Sequence, residues 1–237
     1  MKPIIQVIQA GIVILMIGSL IMPANALLKK SGKKAPIAQG DNVIAGAAVN
    51  DSAGSSDLTL IIQLKIDGRI VVDEGHKCTA IQPLENIPSD KDPTGWTQPK
   101  FDDKDWEKGE YGIGYGDNDD NLVIGDGANA MVYSRAILEV KSIRSTSKVE
   151  LGADFDDGCV IWINGVEVAR ESNTDIPDEP EWDSWTDKGS GHSHEASKAD
   201  PPRYEFVKLN VKVIGNPLAV EPADKLATSW GEIKAGY

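Results

Sequence analysis

This 237-residue chain is poor in cysteine and in positive charge. Two cysteines, Cys78 and Cys159, are too few for a disulfide-built scaffold or an all-cysteine zinc site. Only 24 Lys and Arg stand against 37 Asp and Glu, a formal net charge of −13. Residues 1–50 hold five of the basic residues and a single acid, Asp41, so 51–237 keeps 19 basic and 36 acidic residues, a net −17. A domain this acidic repels a phosphate backbone, which excludes nucleic acid as the main partner. Long amphipathic helices are missing too; only Leu226, Trp230 and Ile233 make a short helical stripe, weakened by Gly231. There is no G-x-S-x-G elbow, P-loop or dinucleotide fingerprint. What is present is a hydrophobic content of 41% with six tryptophans, which argues for a packed core.

Residues 4–22 are mostly apolar and follow Lys2, and Ala24-Asn25-Ala26 has the small-residue spacing of a signal-peptidase site. The expectation is an N-terminal signal helix over 1–26, cleaved after Ala26, in an exported protein. Its location would be periplasmic, extracellular or at the cell surface. The run is also long enough to span a membrane if it is retained, and Lys29, Lys30, Lys33 and Lys34 flank it. Membrane contact is expected only through that segment. Residues 27–56 lack a sustained period and read as a flexible arm, with Val43-Ile44 as the one place an edge strand could begin.

Beyond the arm the chain reads as strands. Residues 58–66 lead through Asp67-Gly68 into 69–72, the pattern of a hairpin. Residues 130–140 place Val132, Ala136, Leu138 and Val140 on one face, and 148–155 alternate through Val149, Leu151, Ala153 and Phe155. Residues 159–168 carry Asn164-Gly165 between two β-branched runs, a type I′ turn signal. Residues 206–213 alternate as one further strand. Short strands with turn-rich links predict an all-β, antiparallel β-sandwich over 57–221, with a tail at 222–237. Two long polar loops, 84–129 and 170–203, interrupt it, and loops of that length tend to carry function.

Four motifs follow one another: FDDKDW at 101–106, GIGYGDNDD at 112–120, YSR at 133–135 and DDGCVIWINGVEVAR at 156–170. In that order they resemble the galactose-binding-like β-sandwich (jelly-roll) modules of exported bacterial proteins, over roughly residues 96–215. The resemblance implies a non-catalytic role in carbohydrate binding, adhesion or assembly, and a structural calcium in many relatives. The chain departs from the usual pattern where Asn121 is followed by Leu122 rather than Thr, and in the unusual loop after Arg170.

Asp117, Asp119, Asp120 and Asn121 are the candidate metal ligands. Carboxylate and amide oxygens packed into one turn suit calcium. The loop is not an EF-hand, since Leu122 and Ala128 stand where its glycine and terminal acid would be. The alternative is an acidic turn that caps its own backbone. Asp154, Asp156 and Asp157 read either as paired carboxylates for acid/base work or as a strand-entry turn. His192 and His194 share a side in an extended segment, but Glu195 points away, so a solvated loop is favoured over zinc.

Trp182, Trp185, Asp183 and Tyr204 are the candidate carbohydrate ligands, because tryptophan faces stack on sugars while acids bind hydroxyls. The competing reading has the tryptophans covering the core under a long loop. Trp96 and Trp106 read as core or loop anchors. Cys78 and Cys159 either pair or remain buried thiols. The partners expected are a carbohydrate or a cell-envelope protein.

Overall fold

The computed structural model describes residues 28–116, 120–171, 175–186 and 201–218. The signal segment, the 226–233 stripe, Asp117, Asp119, His192 and His194 lie outside these residues. The described chain is all-β. Its strands are β1 (Leu28–Lys30), β2 (Ala35–Ala38), β3 (Gly40–Val49), β4 (Leu58–Ile66), β5 (Arg69–Val72), β6 (Lys77–Ile81), β7 (Glu107–Glu110) and β8 (Ile113–Tyr115). They continue as β9 (Leu122–Val123), β10 (Met131–Val140), β11 (Val149–Phe155), β12 (Gly158–Ile163), β13 (Val166–Glu171), β14 (Glu205–Leu209) and β15 (Val211–Ile214). Among the described residues no helix is long and apolar enough to cross a membrane.

Two sheets pack face to face. A seven-stranded sheet runs β1-β13-β12-β3-β10-β6-β7, antiparallel throughout. A six-stranded sheet holds β14-β11-β4-β8-β9, with β5 also paired to β4, and only β8–β9 is parallel in it. A parallel pair, β2 and β15, stands apart. The core between the sheets takes Ile44, Ala48, Val132, Ala136, Leu138 and Val140 from the larger sheet. The smaller sheet contributes Leu58, Leu60, Ile62 and Leu64 of β4 and Val149, Leu151, Ala153 and Phe155 of β11. The expected alternation of β10 and β11 is therefore realised, and 58–66 forms the expected strand. Both predicted hairpins form as well. Asn164 (φ 48°) and Gly165 (φ 78°) supply the two positive-φ positions of a type I′ turn.

Residues 28–49 are not an arm. They form β1, β2 and β3, and β3 is the central strand that joins β12 to β10. The sequence hides it because both of its faces are buried: Ile44 and Ala48 meet the inner core, while Ala45, Ala47 and Val49 belong to a second cluster. Strands buried on both faces lose polar alternation, and Ala-Gly-Ala-Ala looks like a linker. A Cβ on Gly46 would come within 2.8 Å of Leu60 and Ile62, so the sheets leave no room for a side chain there. The expected loop 84–129 likewise contains β7, β8 and β9. Residues 206–213 are not one strand either. They split after Leu209, and β15 leaves to pair with β2.

The two cysteines stay free and buried. Cys159 on β12 and Cys78 on β6 are separated by β3 and β10. Three strand spacings of roughly 4.8 Å put them at least about 14 Å apart, too far to bridge.

Candidate functional site

The segment 84–106 covers the outer face of the seven-stranded sheet over β12, β3 and β10. Trp96 lies flat on Tyr133 of β10, with centroids 4.1 Å apart, and meets Trp162 of β12 edge-on at 5.4 Å. Trp106 and Phe101 extend the layer, so Trp96 and Trp106 anchor a loop to an outer core. Arg135 pins this layer. It is 3% exposed. Its Nε donates to Asp103 at 2.9 Å, and its other nitrogens donate to the carbonyls of Trp96, Gln98 and Phe101. Burial pushes Arg135 below the ordinary guanidinium value, and the Asp103 carboxylate opposes that shift. The FDDKDW, YSR and WING motifs are thus one structural unit. Gln98 lies against Gly165, where a Cβ would collide with its side chain, and Asn164 bonds Pro36 O and Asn42.

Where the aromatic cover ends, the sheet opens. β6 pairs with β10 only from Tyr133↔Ile81 to Arg135↔Thr79. Beyond that point the strands splay, and the His76 ring bridges the gap, its Nε2 lying 2.9 Å from the Ile137 carbonyl. β6 keeps its pairing with β7 through Lys77↔Glu110. The wedge is a groove of about 700 Å³. Its floor includes Cys78, Ala136 and Gly109, and its walls carry Lys77, Thr79, Lys108 and Ile137. Asp103 and Arg135 close one end. Cys78 is no nucleophile here, because burial, with Glu110 adding, raises its thiol to about 12. Ile137, 51% exposed, is an apolar side chain without cover.

The acidic motifs meet at one end of the other sheet. Thr59 Oγ1 donates to Asp120 at 3.2 Å, and the Thr59 carbonyl accepts the Asp156 N–H at 3.1 Å. The Asp-rich turn and the DDG hairpin therefore converge on β4, which their separation in sequence does not suggest. Asn121 spends its amide nitrogen on the Tyr111 carbonyl at 2.7 Å. Asp157, at φ 58°, accepts the Asp51 N–H at 3.0 Å. Burial, helped by the Asp51 and Asp57 charges, raises its carboxyl above the usual range against that hydrogen bond. Asp154 accepts the Arg203 N–H at 2.8 Å. Among the described residues, no three acid, histidine or cysteine side chains converge closely enough to hold a metal ion.

The four candidate sugar ligands do not form one site. Trp182, Asp183 and Trp185 lie beside the outer aromatic layer. Trp185 packs partly buried against it, and the Trp182 N–H donates to Asn86. Asp183 is exposed, and its charge, after burial, helps raise the Tyr133 phenol. Tyr204 belongs to the other sheet, where it donates to Asp73 at 2.5 Å and sits beside Phe206. The groove residues His76, Lys77, Thr79, Lys108 and Ile137 carried no sequence signal, since the splay that brings them together is a property of pairing. Compared with protein-family models, curated proteins and solved structures, the chain matches none of them.

Proposed function

We propose that the chain is an exported, non-catalytic binding module of the galactose-binding-like (jelly-roll) kind that recognises a carbohydrate of the cell envelope or its surroundings. The groove on the outer face of the seven-stranded sheet carries this reading. Its volume of about 700 Å³ falls in the range of small-ligand sites, about 300–1,000 Å³. It pairs an exposed apolar side chain, Ile137, with the hydroxyl of Thr79 and the ring of His76. A structural calcium at the 117–121 turn belongs to the same proposal. Asp120 and Asn121 offer oxygen donors, the class calcium prefers, and clamping the turn would relieve repulsion with the acids near Thr59. Glycan-array binding that Ile137→Asp abolishes is the expected result, and thermal melts should rise with calcium and fall with chelator. Equal melts would remove the metal, and silence on the array would remove the carbohydrate.

One observation favours a second reading, an assembly protein of the envelope. Ile70, Val123 and Phe206, 54%, 65% and 43% exposed, lie on the outward side of the six-stranded sheet, as their cross-strand partners Lys65, Gly114 and Gly152 show. Sedimentation showing a stable oligomer that Phe206→Ser disperses would support it.

A further inference from the structure

We propose that the groove between β6 and β10 selects an acidic oligosaccharide, one bearing uronic-acid carboxylates; this rests on the carbohydrate reading above. Charge is the first argument. Lys77, Lys108 and Arg135 line the groove against one acid, Asp103. Asp103 is already held by Arg135, and among the described residues neither Lys77 nor Lys108 is in an ion pair. Glu110 stands opposite Lys77 at the rim and outside the lining. A chain of net charge −13 repels anions at long range, so a groove with two uncommitted ammonium groups is a place where an anion gains.

Shape and chemistry select a saccharide over a peptide. An extended peptide binds a sheet by pairing with free backbone groups at an edge. At the splay, the Ile137 carbonyl is already taken by His76. What remains is the apolar side chain of Ile137, the Thr79 hydroxyl oxygen as an acceptor, its proton being given to Asp103, and two exposed ammonium donors. A sugar ring presents an apolar C–H face and hydroxyls, and its carboxylate meets a lysine by a charge-assisted bond.

The test is calorimetric titration of the mature chain with three probes: an oligogalacturonate, its full methyl ester and an oligoglutamate of matched charge. The acid saccharide should bind at least about tenfold more tightly than its ester, and more weakly as ionic strength rises from about 0.05 to about 0.5 M. Lys77→Gln with Lys108→Gln should remove most of that preference, and Lys77→Arg with Lys108→Arg should keep it. Both lysines are exposed, so unchanged melting temperatures should accompany these results. Equal binding of acid and ester would overturn the charge selection and leave the carbohydrate reading standing. Acid binding that the glutamine pair leaves intact would move the site elsewhere and overturn the assignment. Equal binding of oligoglutamate would make the ligand an acidic peptide, and no binding of any saccharide would overturn both readings.

Discussion

Arg135 shows how much one buried cation can organise. Its ion pair with Asp103 and its bonds to three carbonyls fasten a long segment to the sheet, so its removal strips the Trp96 and Phe101 carbonyls of this donor and leaves Asp103 with only the Thr79 hydroxyl among the described residues. Breaking a fully buried pair from one side costs about 3–5 kcal/mol, and the partly exposed Asp103 carboxylate puts this pair at the low end, about 3 kcal/mol. Arg135→Ala should lose about that much in urea unfolding, and Arg135→Lys should recover little, because an ammonium cannot reproduce the guanidinium fork. Asp157 makes the opposite case. Its folded-state carboxyl lies above the usual value, so the fold favours the protonated form. Its stabilisation is greatest at low pH and is lost as pH rises through the folded value. Asp157→Asn keeps an acceptor for the Asp51 N–H and tolerates the positive φ. The variant should melt higher than the parent at neutral pH in chelator. The gain should shrink as pH falls below the folded value and vanish below the unfolded one, as paired melts across pH would show.

At the scale of elements, β3 and the β6–β10 splay behave differently from their sequences. β3 is threaded between two cores, and its Gly46 faces the ends of Leu60 and Ile62 across the sandwich. Gly46→Ala pushes a methyl to 2.8 Å from Leu60 and Ile62. Overpacking of this kind costs about 1–3 kcal/mol, so the denaturant midpoint should fall without a change in slope. β10 and β11 were legible because each has one face in the inner core and shows alternation. β7 was not, since an edge strand reading Glu-Lys-Gly-Glu has no apolar face to betray it. The hairpins were legible because Asp67-Gly68 and Asn164-Gly165 are local, and positive φ is a property of the residues themselves.

For the whole molecule, the N-terminal strands decide whether there is a fold at all. Removing residues 1–26 should leave a cooperatively melting domain. Starting at Ser52 deletes β1, β2 and β3 and cuts the seven-stranded sheet between β12 and β10. That shorter chain should show no cooperative transition in circular-dichroism melts. Composition and alternation alone were enough to establish an all-β chain, its acidic character and the position of its turns, because these depend on each residue's own propensity, charge and immediate neighbours. Candidate sites were less legible. Asp120 and Asp156 were each visible as acids, but their meeting at Thr59 was not. Trp182 and Tyr204 looked like partners and lie beside different sheets. The groove depends on where one strand pair stops and another continues. Strand register is a balance of contacts between residues far apart in sequence, so only the folded chain could place Lys77, Lys108 and Ile137 around one opening.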